Sequence, residues 1–291
     1  MPDFLKLLAI LALVACTESG AGGETGAAAG AAAGAAAGAA AGAVAEVEAG
    51  FEAGETGTVS EIVGPLSLML ETEAGPLEVR LAELDLPVAA TRDAGSAETG
   101  PGQGLQAGLQ GLQGRAVRLA YDGLHRDRYD RAVAQAYRAQ DGAWLQAALV
   151  ASGKARVLSH KDNHLAAPAL LELEAGAREA GLGLWSNPAN HVRDTDPDRL
   201  AQDIGSVQLV EGRVIEVTRL RSGRTYINFG ADYRTDFTVV VEAADEAAFE
   251  AAGRPLADLT GHRVRVRGWI EAENGPMIRI DHPERIEMLD G

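Results

Sequence analysis

Residues 76–84, Pro-Leu-Glu-Val-Arg-Leu-Ala-Glu-Leu, set Leu77, Val79 and Leu81 in alternation with Glu78, Arg80 and Ala82. A period of two predicts a strand with one buried face. Working outward, Thr58–Val63 and Leu66–Glu71 have the same β-like composition with turns between them, so the three runs make a meander. Downstream, Gly102–Leu112 carries leucines at 105, 109 and 112 and predicts a helix weakened by its glycines, after which Arg115–Tyr121 alternates again and Arg131–Arg138 supplies a fifth strand. Trp144–Ser152 and Ala166–Ala180 have helical periodicity, the second closing at Gly181 and Gly183.

The order β-β-β-α-β-β-α-α describes an OB-type five-stranded barrel with two appended helices over residues 57–188. A second barrel follows over 207–291. Its predicted strands are Gln208–Arg219, Thr225–Phe229, Phe237–Glu242, Arg263–Ile270 and Met277–Met288, with a helix at Asp245–Ala252. Between the two, residues 189–206 hold an Asp/Arg run from Arg193 to Arg199 and one short helix near Leu200–Ile204, and read as a linker. The fold class expected is therefore mainly β with helices (α+β), built as tandem OB-type five-stranded barrels.

The start of the chain is different in kind. Residues 1–16, MPDFLKLLAILALVAC, have Lys6 before an apolar run from Leu7 to Val14, which is a signal peptide in outline. Eight apolar residues in a helix cover about 12 Å, short of a hydrocarbon core of roughly 30 Å. Leu13-Val14-Ala15-Cys16 is similar to the lipobox of bacterial lipoproteins, and the resemblance implies that Cys16 is lipidated and becomes the first mature residue. Thr17 in place of aspartate then implies the outer membrane, with the protein facing the periplasm in the cell envelope. Residues 17–56 follow as an Ala/Gly-rich tether, with Gly-Ala-Ala-Ala repeated from Gly26 to Gly42. Alanine and glycine offer too little apolar area to build a core, and the acids from Glu18 to Glu55 keep the segment solvated.

The 291 residues carry 42 acidic and 26 basic side chains, a net charge of −16 that is spread along the chain with no basic half. That excludes a histone-like polyanion binder. The single cysteine excludes a disulfide framework and any Cys-based zinc site. His160 and His164 are four apart, but Asp162-Asn163 between them favours a loop over a metal-binding helix face.

Residues 57–188 resemble the thermonuclease, or staphylococcal-nuclease-like, family. The resemblance is carried by Asp-Arg-Tyr-Asp-Arg at 127–131, Leu-Gln-Ala-Ala-Leu-Val with Gly153-Lys154-Ala155, and the closing Glu-Ala-x-Ala-Arg-Glu-x-Gly-Leu-x-Leu-Trp-Ser. Val79-Arg80-Leu81 and Asp85-Leu86-Pro87 match the family's Arg-Leu followed by Asp-Thr-Pro-Glu. The family hydrolyses phosphodiesters with a calcium ion, two arginines on the phosphate, a glutamate aiding the attacking water and aspartates on the metal. The resemblance places Arg80 and Arg131 as the phosphate arginines and Asp85 as a metal ligand. It also places Leu86 and Val88 where the threonine and glutamate belong, and Val63-Gly64-Pro65-Leu66 where the family has Asp-Gly-Asp-Thr.

One carboxylate of three is left for a hard cation that wants six or more oxygens. The expectation is a catalytically degenerate phosphate-binding or scaffolding module without a cofactor. Glu83 and Glu71 are the acids that could replace the missing base in an active calcium-dependent nuclease. The net charge keeps open an envelope interaction protein with no nucleic-acid role.

In the second barrel the loop between the first two strands is basic. Arg219, Arg221 and Arg224 lead into Tyr226 and Phe229, the composition of a single-stranded nucleic-acid binder. Arg263, Arg265 and Arg267 alternate on one side of the fourth strand. They are read either as part of that surface or as a charged face paired with acids on adjacent strands.

Overall fold

The computed structural model describes residues 50–87 and 109–290. The signal peptide, Cys16, most of the tether, Val88 and the greater part of the Gly102–Leu112 helix lie outside the described residues. The chain divides into two compact units, Met1–Pro188 and Ala189–Gly291.

In the first unit, β1 (Glu52–Gly64), β2 (Ser67–Thr72), β3 (Gly75–Leu81), β5 (Ala116–Tyr121) and β6 (Ala132–Arg138) close a barrel in the order β1-β2-β3-β6-β5. The alternation that marks these strands becomes their inward face: Leu68, Leu70, Val79, Leu81, Val117 and Leu119 are all buried. Leu109 and Leu112 are buried with them. β3 and β6 run parallel, pairing Val79 with Ala132 and Arg80 with Val133. A separate two-residue strand, β4 (Leu84–Asp85), leaves the barrel to pair with β7 (Arg156–Val157).

Helices α1 (Leu145–Ala151) and α2 (Ala167–Glu179) pack on the barrel and on each other. Buried Gln146 ties α1 to β6, accepting from the Ala136 amide at 3.1 Å and donating to the Ala134 carbonyl at 2.8 Å. The turns after the two helices meet backbone to backbone. Both Gly153 and Gly183 have positive φ, and a Cβ on Gly153 would stand 2.1 Å from the Leu182 carbonyl oxygen. Only glycine meets both demands.

The first strand corrects the tether boundary. β1 begins at Glu52, inside the stretch 17–56, and Glu55 is not a solvating charge. The Tyr121 hydroxyl donates to Glu55 Oε2 at 2.5 Å, Arg126 Nη1 donates to that hydroxyl at 2.8 Å, and Arg126 Nη2 pairs with Glu55 Oε1. Gly54 lets Tyr121 lie against the strand, since a Cβ there would meet its ring at 2.5 Å.

The second unit departs from the expected five-stranded barrel. Seven strands form one sheet: β8 (Val207–Arg213), β9 (Glu216–Arg219), β10 (Thr225–Asn228), β11 (Thr238–Val241), β12 (Arg263–Ala272), β13 (Pro276–Arg279) and β14 (Ile286–Met288). Its path runs β14-β12-β13-β11-β10-β9, with β8 on β12. The strand expected over Gln208–Arg219 breaks at Val214-Ile215, where the chain changes partners: the Val214 amide donates to the His262 carbonyl and the Ile215 amide to that of Asn228. β11 and β13 are parallel. Between them in sequence comes α4 (Glu246–Ala251), which buries Phe249.

Residues 189–206 are not a free linker. Arg193 is stitched to β8 through its amide to the Leu209 carbonyl and its carbonyl from the Glu211 amide, each at 2.8 Å. The short helix α3 (Pro197–Leu200), capped by Asp196, brings Leu200 into the core of the second unit.

Candidate functional site

Arg80 stands on β3 and Arg131 immediately precedes β6, so the parallel pairing of these strands brings the two side chains to one end of the barrel. They are close enough to feel each other. Burial, and then the charge of Arg131, hold the Arg80 guanidinium below its ordinary value, while Asp85 and Asp127 act in the opposite direction.

The loop before β6 explains how Arg131 is fixed. Asp127 Oδ1 accepts from the amides of Tyr129 at 2.9 Å and Arg131 at 3.1 Å, and Oδ2 accepts from Arg131 Nε at 2.8 Å and Nη2 at 2.7 Å. Asp130 takes a positive φ to close this turn. Burial pushes the Asp127 carboxyl up, and these hydrogen bonds more than reverse it, leaving it below the usual carboxylate range. The Asp127 contact in turn raises Arg131, against a smaller effect of burial, and Glu78 lies 3.7 Å away on β3. Tyr129 is 64% exposed, with the guanidinium groups of Arg128 and Arg131 over its ring at 4.9 and 5.2 Å.

Asp127 is the partner that sequence reading missed. Its signal was present, since Asp127 and Arg131 are four apart in the motif itself.

Asp85 is occupied. Arg156, whose side chain is 2% exposed, donates through Nε to Asp85 Oδ2 at 2.8 Å, and its Nη2 lies at the same distance. Glu83, a candidate replacement base, sits in a buried polar network. Its Oε1 accepts from Gln135 Nε2 at 3.0 Å and from the Ala166 amide at the start of α2 at 3.2 Å, and Gln135 in turn accepts from Trp144 Nε1 at 2.9 Å. Glu71 is exposed on β2, opposite Thr58 of β1.

Arg80 differs from its neighbours. It is half-buried, and among the described residues no acceptor lies within hydrogen-bonding distance of its guanidinium. A desolvated cation in that state is completed by water or by an anion.

The calcium that the family resemblance implies does not fit these residues. Asp85 is engaged by Arg156, Val63, Pro65 and Leu66 carry no carboxylate, and among the described residues no group of three His, Cys, Asp or Glu side chains could hold a metal ion. His160 and His164 belong to a tight turn, with His160 and Asn163 exchanging backbone hydrogen bonds.

The basic loop of the second unit does not make the platform expected of it. Arg219 donates to both oxygens of Glu246 at 2.9 and 2.8 Å, and Arg224 donates to Glu242 at 3.0 Å and to the Tyr226 hydroxyl at 3.4 Å. Phe229 is a core residue packed against Phe237, with the rings tilted and their centroids 5.0 Å apart. Arg221 stays exposed at the loop tip and Tyr226 is half-buried.

The alternating arginines of β12 are a paired face. Arg265 binds Glu211 and Glu287 on the two flanking strands, Arg263 lies 3.6 Å from Glu211, and Arg267 is buried against Glu287 at 2.6 Å. Arg265 has carboxylates directly opposite it in register, Glu211 on β8 and Glu287 on β14, and Arg263 and Arg267 reach the same two acids diagonally.

No curated protein matches the chain. Residues 78–187, which run from β3 past α2 and contain Arg80, Asp85, Asp127, Arg131 and Arg156, match the family described as staphylococcal nuclease homologue, and this part of the chain is a staphylococcal-nuclease-like domain with an OB-type barrel.

Proposed function

We propose that the first unit is a catalytically degenerate nuclease-like module that binds a phosphate-containing anion weakly, nucleic acid included, and that a lipid on Cys16 tethers it in the cell envelope facing the periplasm. One observation carries the binding half of this reading: Arg80 is half-buried beside Arg131 without an acceptor among the described residues. Guanidinium forks match phosphate oxygens, and two adjacent cations favour an anion between them. The catalytic half rests on the acids. Asp85, Asp127 and Glu83 are each committed to a partner inside the fold, which leaves none of them to activate a water beside Arg80.

A general base contributes typically 10²–10⁴-fold, so an arginine pair without one holds its ligand and turns it over poorly. The test is a short labelled single-stranded oligonucleotide with calcium at low salt. Binding by anisotropy without cleavage on gels is expected. Rapid calcium-dependent cleavage would restore the active-nuclease reading, and absence of both would favour an interaction protein with no nucleic-acid role.

A further inference from the structure

We infer that Arg156 takes over the charge-neutralising place beside Asp85 that a divalent cation would fill, making the Arg80 anion site independent of metal. The inference rests on the anion-binding reading and adds to it how the site is kept electrically competent.

Strand register sets the pair. β4 and β7 are antiparallel with Asp85 opposite Arg156, so the two side chains meet across the two-residue ladder. Both Nε and Nη2 of Arg156 lie 2.8 Å from Asp85 Oδ2, and the guanidinium is 2% exposed. A fixed, desolvated guanidinium with paired contacts is a permanent counter-charge that water does not screen well.

Its consequence reaches Arg80. The charge of Asp85 acts on the Arg80 guanidinium, so an uncompensated Asp85 would act with the opposite sign on any anion held there. Asp127 is paired in the same manner with Arg131. Both carboxylates that act on Arg80 are thus held by an arginine, Asp85 by Arg156 and Asp127 by Arg131, which Glu78 also approaches, while Arg80 itself has no acceptor among the described residues. A nuclease-like site that uses calcium needs acids to hold the metal and then relies on the metal to offset them. Here the offset is covalently part of the chain.

The experiment measures the dissociation constant of a 3′,5′-nucleoside bisphosphate at low salt, in EDTA and in millimolar calcium. It uses the intact protein and the variants Asp85→Asn, Arg156→Gln and Asp85→Asn/Arg156→Gln. Affinity of the intact protein is expected to be the same in both buffers. Removing Asp85 should tighten binding and removing Arg156 should weaken it, each by about two- to threefold, the scale on which one nearby unit charge acts through a water-like dielectric. The double variant should return close to the starting value, which a merely structural role for Arg156 would not produce.

Should Arg156→Gln fail to fold, Asp85→Asn and the double variant still carry the comparison. Binding that requires calcium, or that ignores both charge changes, overturns this inference while leaving the anion site standing. Lack of binding by every variant, Asp85→Asn included, overturns both.

Discussion

Asp127 grips Arg131 by side chain and main chain together, its two oxygens accepting from the guanidinium and from the Arg131 amide. The same contact that orders the loop also fixes the charge of one arginine of the pair, and leaves the other, Arg80, without an acceptor among the described residues. Asp127→Asn is therefore expected to cost about 1–2 kcal/mol of stability. The pH dependence has a definite sign. The folded carboxyl lies below its unfolded value, so its stabilisation is present above about pH 4 and is lost as pH falls through the depressed folded value. Urea unfolding between pH 2 and 7 should show this loss in the wild type and a flatter profile in Asp127→Asn.

The Glu55–Tyr121–Arg126 contacts make the first residues of β1 part of the barrel. A chain beginning at residue 57 should melt well below one beginning at residue 50, because it loses these hydrogen bonds and the β1–β5 pairs at Glu52, Ala53 and Thr56. Burial and the hydrogen bond to Glu55 push the Tyr121 hydroxyl up to about 12. Its contribution is thus intact below about pH 10 and disappears as pH rises through about 12. Ultraviolet titration of the intact chain against Tyr121→Phe reads this directly, and a phenol titrating near 10 would contradict it.

In the second unit the expected effects separate cleanly. Phe229→Ala should destabilise by about 3–5 kcal/mol as a core truncation. Arg219→Ala and Arg224→Ala should lower the melting temperature only slightly, since their pairs with Glu246 and Glu242 are exposed or nearly so. None of the three should change oligonucleotide affinity once folded protein is compared. A marked loss with Arg219→Ala would return the basic loop to the binding surface.

Lipid attachment is tested at Cys16. Cys16→Ser should move the protein from the membrane fraction to the soluble envelope fraction, and a mature protein beginning at another residue would contradict the tethered arrangement.

The barrel of the first unit was legible because its strands bury one face each. The alternation of Leu77, Val79 and Leu81 is the inward face of β3 itself, and Gly181 does close α2 with a positive φ. The second unit was harder, because a run such as Gln208–Arg219 is continuous in composition while its partner changes at Val214, and pairing is a non-local choice that periodicity does not encode. Site residues followed the same division. Arg80 and Arg131 could be placed by resemblance. Whether Asp85 was available depended on Arg156, which is 71 residues away and meets it only through the β4–β7 ladder. Phe229 was read with the basic loop as a platform residue, and the sheet packs it into the core.

The most direct test of the account is the melting temperature of the intact protein with a 3′,5′-nucleoside bisphosphate, measured for wild type and Arg80→Ala across a salt series. Ligand that binds only the folded state raises the melting temperature, and an electrostatic site loses that effect as salt screens it. A rise at low salt is expected, fading with added salt and absent in a folded Arg80→Ala protein. No rise in the wild type, or a rise that Arg80→Ala retains in full, would contradict it.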